Sequence, residues 1–417
     1  MKKVLIISYY WFPDKGVGHK RWSNFIKYFK DYGYDPIIYT RGKKNSIENI
    51  NDEYKLIRKK IFDPSLIFSN IFNSNYNKGV IDNSNSFFMN FFSWIRSSFF
   101  IPDTRLFWVN PSVSFLSHYI KENNVDIIVT TGPPHSIHMI GYKLKKLLNI
   151  KWISDFRDPY ANWDILLNMK PLSISKIRHK KYQNLFLKNA DRVVVTNNTL
   201  LKEFSNHILN KKIIYIPNGS ELKPLYKKSK NKYFILSYFG LINKFRDPRV
   251  FLNVIKKILK YNQEFKSKFK MVFCGPINIS TLNFINNDRI LSQHFEHYEY
   301  VDNAKLITLI YESSLLLLLL NNTKIQNTTP YKLFDYLVSK KDIITLCDHK
   351  NLDVASFLEY YKKNDIVSYS NKKKIEKQIL DSFTNFILDK KVENKIDISK
   401  LKFDFLSKKM ISLFDNL

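Results

Sequence analysis

The sequence predicts an α/β protein made of two successive doubly wound halves that face each other across a cleft. Short apolar runs rich in β-branched residues alternate with segments whose apolar residues recur at helical spacing, which is typical of parallel sheets covered by helices. The chain has 417 residues, which is more than one hydrophobic core usually supports. These two observations favour two domains over one.

The alternation breaks once, at residues 217–219, and begins again near residue 234. The break reads Pro-Asn-Gly, in which proline stiffens the chain and glycine tolerates unusual dihedral angles, as a hinge requires. We therefore predict a first domain over 1–217 and a second over 218–400. The amphipathic tail, 401–417, is predicted to be a helix that packs back on the first half.

The first unit of the chain is predicted to be a strand at 3–9, a glycine-containing turn and a helix at 19–32. The N–H groups of such a turn can approach a phosphate at the helix N-terminus, although many turns of this kind contain glycine only for chain reversal. Gly16 and Gly18 are thus candidate phosphate-binding residues. Arg21, in the first helical turn, either meets an anion or is exposed.

An abrupt change of composition follows the second predicted strand. Residues 43–85 are polar and rich in Asn and Lys, which predicts an irregular insertion. Residues 87–101 then read FFMNFFSWIRSSFFI, with one arginine and no acidic residue. This stretch is a candidate for an interfacial element that enters lipid headgroups. An aromatic helix that packs on its own domain is an equally good interpretation.

The region 126–160 contains a buried strand, a helix, a second strand and a polar loop. Ligands of open α/β sheets bind at the carboxyl ends of strands. His135 and His138 follow the first strand, and histidine can act as a base or hydrogen-bond a substrate hydroxyl. Each can instead cap its own helical turn. The position of His135, at the turn between strand and helix, favours a functional role for that residue.

A charged loop follows the second of these strands, at Asp155-Phe156-Arg157-Asp158. Such a cluster can hold sugar hydroxyls or an anionic acceptor, and it can also be a structural ion-pair cluster. Because the loop carries more charge than turn formation requires, we favour a functional role for its three charged residues.

Two cations follow the first strand of the second half. Lys244 and Arg246 come shortly after Gly240, and such cations suit a diphosphate, with arginine offering a bidentate fork. A solvated surface is the alternative, since lysine is abundant throughout the chain.

A second candidate anion site in this half lies at the start of the helix predicted at 331–338. Thr329 precedes this helix, and its N–H groups can bind phosphate. Lys332 and Asp335 lie within it, and a carboxylate such as Asp335 can accept hydrogen bonds from ribose hydroxyls.

Bulk composition restricts the class of protein. The two cysteines, Cys274 and Cys347, lie in apolar runs, which predicts buried reduced thiols. The longest apolar run, 315–320, is too short to span a bilayer and predicts a central strand. No small-residue cleavage site follows the N-terminal apolar run, so a cytoplasmic protein is expected. The net charge of +30 indicates either a solvated lysine surface or attraction to polyanions or an anionic membrane.

The sequence lacks the motifs that are typical of several kinds of metal and cofactor chemistry. The chain has no Asp-x-Asp, Cys-x-x-Cys or His-Glu-x-x-His, so no metal is expected. It also has neither a Walker loop nor a complete dinucleotide fingerprint, so hydride and ATP chemistry are unsupported.

The ordered set of motifs resembles glycosyltransferases of the GT-B fold, especially the retaining family 4 type of bacterial capsule, O-antigen and exopolysaccharide synthesis. The motifs span nearly the whole chain, and they are ISYYWFPDKGVGHKRW, TGPPHSIHMIGYKLK, KWISDFRDPY, ADRVVVTNN, IPNG and TPYKLFDYLVSKKDIITL. The resemblance implies two Rossmann-like domains facing each other across a cleft. The first would bind the acceptor, and the second would bind a UDP- or GDP-sugar.

The resemblance also implies roles for single residues. Gly16 and Gly18 match the loop that meets the donor diphosphate, and Arg246 matches a cation after the first strand of the second half. Lys332 and Asp335 match a segment whose acid binds the nucleotide ribose. The remaining match is His135, which resembles a histidine near the transferred sugar.

The sequence departs from this pattern in one segment. Two glutamates eight residues apart are frequent in the family, and here these positions are Asn327 and Asp335, with Tyr331 where glycine is common. The implied reaction is metal-independent transfer of a sugar to a glycan or lipid-linked acceptor, with loss of a nucleoside diphosphate. It would take place at the inner membrane face, with residues 87–101 as the membrane contact.

Two other functions compete with this interpretation. A UDP-sugar 2-epimerase-like isomerase of the same fold would release an epimerised sugar nucleotide without an acceptor. A non-enzymatic polyanion binder would explain the charge but not the polar cluster at the strand ends. We rank it last, and expect no nucleic-acid partner, because the basic residues are dispersed.

Overall fold

The fold is that of a computed structural model. It describes residues 1–14, 18–62, 87–209, 212–223, 231–323, 328–349, 351–389 and 397–417.

The first half contains an eight-stranded sheet whose strands are parallel except for one antiparallel edge pair. Its strands are β1 Lys2–Ser8, β2 Tyr34–Gly42, β3 Ser46–Ile50, β4 Tyr54–Lys60, β5 Ile127–Gly132, β6 Lys151–Phe156, β7 Arg192–Val195 and β8 Ile213–Tyr215. The order is β3-β4-β2-β1-β5-β6-β7-β8, with β3 and β4 antiparallel. Because β1, β5 and β6 are central and parallel, the residues that follow them meet at one edge of the sheet.

Helices cover both faces of this sheet. They are α1 Lys20–Phe25, α2 Phe87–Phe99, α3 Val109–Glu122, α4 Ser136–Leu148, α5 Asp164–Asn168, α6 Ser173–Asn189 and α7 Asn198–Ser205. Local chemistry sets several of their ends. For example, α4 stops at Asn149, which has the left-handed φ of 52° that asparagine tolerates, and the Asn197 side chain caps α7 by accepting from the Leu200 N–H.

The second half contains a six-stranded sheet of parallel strands. Its strands are β9 Phe234–Phe239, β10 Phe269–Cys274, β11 Phe295–Tyr298, β12 Leu315–Leu319, β13 Asp342–Leu346 and β14 Ile366–Val367, in the order β11-β10-β9-β12-β13-β14. Its helices are α8 Arg249–Tyr261, α9 Gln263–Lys268, α10 Ile279–Asn286, α11 Arg289–Ser292, α12 Asn303–Glu312, α13 Lys332–Ser339, α14 Leu352–Tyr360 and α15 Lys372–Ile387.

The predicted α/β fold with two parallel sheets is confirmed, and β12 shows its basis. All five leucines of β12 are buried. Leu315, Leu317 and Leu319 pack in the apolar cluster on one face of the sheet, and the two leucines between them pack in the cluster on the other. Covering both faces requires a continuous apolar run rather than an alternating one.

Two elements differ from the sequence prediction. The insertion predicted at 43–85 is not irregular over 43–62, because β3 and β4 lie there; residues 63–85 fall outside the described residues. In β4, Leu56 and Ile57 bury their side chains on opposite faces of the sheet. The helix predicted at 19–32 is also shorter, since α1 ends at Phe25 and two 3-10 turns follow it.

A last helix, α16 Phe403–Asp415, follows the second sheet in sequence and packs against the first. The rings of Phe403 and Phe25 are 5.2 Å apart, and those of Phe414 and Phe29 are 5.4 Å apart. The domain limits 1–217 and 218–400 stay a prediction.

Both cysteines are buried and free, as predicted. In the part of the chain that the structure describes, no helix has the length and apolar character needed to cross a membrane.

Candidate functional site

The two halves contact each other through residues that follow strands or begin helices. The hydrogen bonds between them include Asn24 Nδ2 to the Tyr331 hydroxyl at 3.3 Å, Thr323 Oγ1 to Asp164 at 3.0 Å, and the Asn198 N–H to Asp353 at 2.7 Å. The candidate site is the region between the strand ends of the two sheets, and each half contributes one wall.

A buried ion pair lies at the base of the first wall. Arg21 Nη2 is 3.3 Å from Asp155 Oδ1, and the two side chains are 1% and 0% exposed. Asp155 Oδ2 also accepts from Trp22 Nε1 at 2.7 Å and from Thr131 Oγ1 at 2.8 Å. Asp155 was predicted to face a sugar, but it has no exposed surface in this arrangement. Arg21 is likewise not on the surface, so the exposed alternative for it is wrong.

The Arg21 guanidinium also binds the segment between the halves, residues 216–220, which is called the linker below. Nη1 donates to the Pro217 carbonyl at 2.7 Å and to Asn218 Oδ1 at 3.2 Å, while Nη2 donates to the Ile216 carbonyl at 2.8 Å. One side chain therefore fixes the exit of the linker to the strand end that carries Asp155. Neither the role of Arg21 nor its partners were evident from the sequence.

Arg157 is directed at backbone carbonyls rather than at the cleft. Its Nη1 donates to the Gly18 carbonyl at 2.5 Å, its Nη2 to Pro133 at 2.7 Å and its Nε to Gly132 at 3.1 Å. Arg157 thus holds the turn after β1 against the turn after β5. Gly18 contributes a carbonyl to this contact, whereas Gly16 lies outside the described residues.

His135 lies at the start of α4 and is 4% exposed. Its Nε2–H donates to the Pro159 carbonyl at 3.1 Å, and its Nδ1 has no hydrogen-bond partner among the described residues. Burial lowers the pKa of His135 to about 4. The ring is therefore neutral at pH 7, with a lone pair on Nδ1 that can accept a hydrogen bond.

The N-terminus of α4 is fixed by Asp103, which the sequence did not single out. This carboxylate accepts from the Ser136 N–H at 2.8 Å and from Ser136 Oγ at 2.9 Å. His138, one turn further on, is fully buried with Nδ1 2.9 Å from Thr130 Oγ1 and its ring 4.2 Å from that of Phe156. His138 is thus part of the core.

Asp158, like Arg157 of the same loop, is half-buried. It lies close enough to Asp164, which accepts from Thr323, for the two carboxylates to repel. Burial raises the pKa of both, and Arg157 opposes this shift at Asp158. A carboxylate in this setting can accept hydrogen bonds from hydroxyl groups.

The second wall contains a buried lysine. Lys332 Nζ lies 3.9 Å from the ring centroid of Tyr238 and would be 3.2 Å from a Cβ added at Gly240, at the end of β9. In the described part of the chain Nζ has no hydrogen-bond partner. Burial, and secondly the charge of Arg246, lower the pKa of Lys332 well below its usual value. An anion placed here would gain a cation that nothing else described neutralises.

Arg246 lies beside Lys332, and the two form the cationic part of this wall. Its Nε donates to Asn321 Oδ1 at 2.8 Å. Thr329 Oγ1 is buried and also without a partner among the described residues. Lys244 is exposed, with Nζ 5.2 Å from the Phe245 ring, and it lines a surface depression of about 510 Å³.

Asp335 lies one turn after Lys332 on α13. Its Oδ1 accepts from Ser220 Oγ, in the linker, at 2.6 Å. Burial raises the pKa of Asp335 to about 6, whereas the Ser220 hydrogen bond and Lys20 lower it. The candidate ribose-binding acid is thus already in contact with the segment that joins the halves.

The raised pKa of Asp335 predicts a pH dependence of stability. The folded chain holds this proton to about pH 6, and the unfolded chain loses it near pH 4. Its stabilising contribution is therefore present below pH 4 and is lost as the pH rises through about 6. We expect the unfolding midpoint of wild type to fall over this range relative to that of Asp335→Asn. Thermal melts of both proteins at several pH values measure the difference, and parallel curves would contradict the assignment.

In the described ranges, no group of three or more His, Cys, Asp or Glu side chains is placed to hold a metal ion.

Comparison with solved structures identifies the fold. A glycosyltransferase from Rickettsia africae is 16% identical, with a TM-score of 0.63, and the match covers 100% of this chain and 98% of that one. Sucrose-phosphate synthase from Thermosynechococcus elongatus is 11% identical with a TM-score of 0.67, covering 100% and 99%. Anabaena HepE, solved in complex with UDP, is 9% identical with a TM-score of 0.62, covering 100% of both chains. No family model and no curated protein matches the sequence.

These matches span both halves and both sheets, and the chain has the GT-B fold, as the sequence predicted. Two Rossmann-like domains are the defining feature of this class of fold.

Proposed function

We propose that this protein is a glycosyltransferase that moves a sugar from a UDP- or GDP-sugar to a glycan or lipid-linked acceptor in cell-surface polysaccharide synthesis, with retention of configuration. The observation that carries the proposal is the buried, unneutralised Nζ of Lys332 beside Arg246 at the end of β9. Two cations at the strand ends of a Rossmann-like domain suit the diphosphate of a sugar nucleotide. The presence of UDP in the structural neighbour HepE supports a nucleotide as a ligand of this chain.

Different residues of the second wall would bind different parts of the donor. Lys332 and Arg246 would stabilise the negative charge that develops on the departing diphosphate, a role that a metal ion plays in other enzymes. Thr329 Oγ1, buried without a described partner, would donate to a phosphate oxygen. Asp335 would accept from the ribose hydroxyls. Lys244 is exposed and would contribute only to the long-range attraction of the anionic donor.

The first wall would bind the sugar and the acceptor. His135 Nδ1 has a lone pair without a described partner, and Asp158 offers a half-buried carboxylate; both suit hydroxyl groups. Arg157 and Asp155 act differently, because their side chains bind Gly18, Pro133 and Arg21 and thereby position the turns.

We place the acceptor at the inner membrane face, where the protein would be peripherally bound. Helix α2 exposes 45% of Phe91 and 62% of Phe99. Aromatic rings that stay exposed on a helix without acidic residues suit a headgroup region.

The test is transfer itself. Purified protein is incubated with radiolabelled UDP- or GDP-sugars and a membrane extract, and labelled lipid or glycan is the expected product. Nucleotide sugars that bind the native chain should also raise its melting temperature. Epimerised sugar nucleotide formed without an acceptor would contradict transfer, as would the absence of both binding and product for every donor.

Replacing His135 with alanine is predicted to reduce transfer by about tenfold while donor affinity stays unchanged, because one hydrogen bond to the sugar or acceptor is lost. Donor affinity is measured by calorimetry and transfer by label incorporation. His118→Ala is the matched control, since His118 is exposed and contacts only its own helix at Ser114. An equal loss of binding and transfer would undo the assignment of His135 to the first wall.

A further inference from the structure

We propose that the outer face of α6 forms, together with α2, a docking surface for an anionic lipid bilayer. In the sequence, only residues 87–101 suggested a membrane contact. The relation to a lipid-linked acceptor rests on the proposed function, whereas the docking itself does not.

The N-terminal part of helix α6 has its polarity reversed relative to an ordinary surface helix. The buried face there carries the polar side chains Ser175, His179 and Gln183, and apolar burial begins only further along the helix, at Phe186 and Leu187. Its outer face exposes Ile174 and Ile177, which are 55% and 63% exposed. Surface helices normally bury such residues, so two exposed isoleucines one turn apart indicate a partner on this face.

The buried polar face explains why α6 keeps this orientation. Ser175 Oγ donates to the Ser98 carbonyl at 2.7 Å, and His179 Nε2 lies 3.0 Å from the Ser97 carbonyl, so α6 is bonded to α2. Gln183 Oε1 accepts from the Ala161 N–H at 2.8 Å. Rotating the isoleucines inward would break these buried bonds, each of which is costly to lose.

Both helices carry exposed apolar groups close to the point where they are bonded to each other. On α2 the ring of Trp94 lies 5.9 Å from Phe91 and 5.8 Å from Phe99. The Leu172 N–H donates to Ser98 Oγ at 3.2 Å, which places Leu172, itself 38% exposed, beside Phe99. We take the rings of α2 and the exposed residues Leu172, Ile174 and Ile177 as one apolar patch, because this hydrogen bond joins the start of α6 to the end of α2.

The charge of the same surface is positive. Residues 165–190 include no acidic residue, and their exposed cations are Lys170, Lys176, Arg178, Lys180, Lys181 and Lys188. Among the described residues none of these cations has an ion-pair partner. Basic side chains that alternate with exposed apolar ones fit headgroup phosphates above an apolar interior. A nucleic acid offers phosphates but no apolar interior to receive Ile174 and Ile177.

The surface is linked to the candidate site by short contacts. His179 Nδ1 lies 3.1 Å from the Tyr160 hydroxyl, and the Tyr160 ring lies 4.7 Å from that of His135. A chain docked through α6 would thus hold the first wall near the lipid surface, where a lipid-linked acceptor is presented.

Flotation of the full chain with vesicles tests the docking without any donor. We expect it to float with vesicles that contain phosphatidylglycerol and to remain below with pure phosphatidylcholine, and high salt should release it. The triple variant Lys176→Gln/Arg178→Gln/Lys180→Gln should weaken partition on the order of a hundredfold. Its control is Lys372→Gln/Lys373→Gln/Lys377→Gln, which removes the same charge from exposed positions of α15.

A second pair of variants, one test and one control, measures the apolar contribution to membrane docking. Ile174→Ser/Ile177→Ser should reduce partition, whereas Leu352→Ser/Leu147→Ser, at 55% and 62% exposure, should not. Equal losses in test and control variants would overturn the proposal, because binding would then follow net charge or general hydrophobicity. Tighter binding to duplex DNA or RNA than to the anionic vesicles, unaffected by the isoleucine change, would also overturn it. Docking that persists when no transfer is found would refute the proposed function alone.

Discussion

Replacing Arg21 with methionine is expected to lower the free energy of unfolding by about 3–5 kcal/mol, because the Asp155 carboxylate is left buried without its cation. The two side chains are 1% and 0% exposed, so water cannot replace the guanidinium. Trp22 and Thr131 remain as partners of the carboxylate, but each supplies one hydrogen bond and no charge. Urea denaturation followed by circular dichroism measures the loss as a shift of the midpoint.

The control for this prediction is an ion pair on the surface of the same region. Lys27 and Glu221 are 2.9 Å apart, but their side chains are 47% and 34% exposed. Lys27→Met is expected to change stability by about 0–1 kcal/mol. A loss in Arg21→Met no larger than that in Lys27→Met would show that the buried pair does not stabilise the fold.

Arg21 also links fold stability to the geometry between the halves. Its guanidinium reaches two linker carbonyls and Asn218, which a lysine ammonium at the end of a flexible chain does not do at once. On the far side of the linker, Ser220 is bound to Asp335. The linker is therefore held by a group from each half, and a nucleotide that engaged Asp335 would compete with Ser220 for the carboxylate.

A strand could be predicted from the sequence where its own residues carry the pattern of a buried strand. The strand β12 was evident because it is a continuous apolar run, which burial on both faces favours. The strands β5 and β6 are also buried but contain polar residues, and their apolar, largely β-branched segments IIV and WI carried the prediction. In contrast, β4 reads YKLIRKK and has two adjacent apolar residues among four cations. Its place is set by pairing with β2 and not by its own composition.

The residues of the candidate site also differ in how far the sequence predicted their positions. His135 and Asp158 follow strands of the first sheet and Lys332 follows a strand of the second, and position after a parallel strand was the signal that made each a candidate. It did not show that Asp155 turns inward. Asp155 pairs in register with Thr131 on one side and Val194 on the other, inside the sheet.

Partners remote in sequence explain the rest. Arg21 and Asp155 are 134 residues apart, so no local pattern could connect them. Asp103 precedes the helix that it caps by 33 residues, and the capping signals that sequence reasoning uses are local. The same limitation applies to Lys332, which was a candidate by position, although its burial depends on Tyr238 of β9.

Replacing Lys332 with methionine is expected to give opposite effects on stability and on activity. Methionine keeps the length of the side chain, removes an amine that is buried without a described partner, and so should leave the free energy of unfolding unchanged or raise it. Catalytic efficiency with the donor should fall by about 10²–10³-fold, because a preorganised cation at the departing diphosphate is lost. Lys244→Met, at an exposed position, should leave both properties nearly unchanged.

Proton uptake separates a diphosphate contact from a purely structural lysine. Burial keeps the pKa of Lys332 well below its usual value in the free chain, and an adjacent diphosphate would raise that pKa again. Calorimetry of UDP binding over a range of alkaline pH values, in buffers of different ionisation enthalpy, should therefore show protons taken up by wild type and none by Lys332→Met. Unaltered UDP affinity and proton uptake in the variant, together with a loss of stability, would make Lys332 a support for Tyr238 and remove it from the donor site.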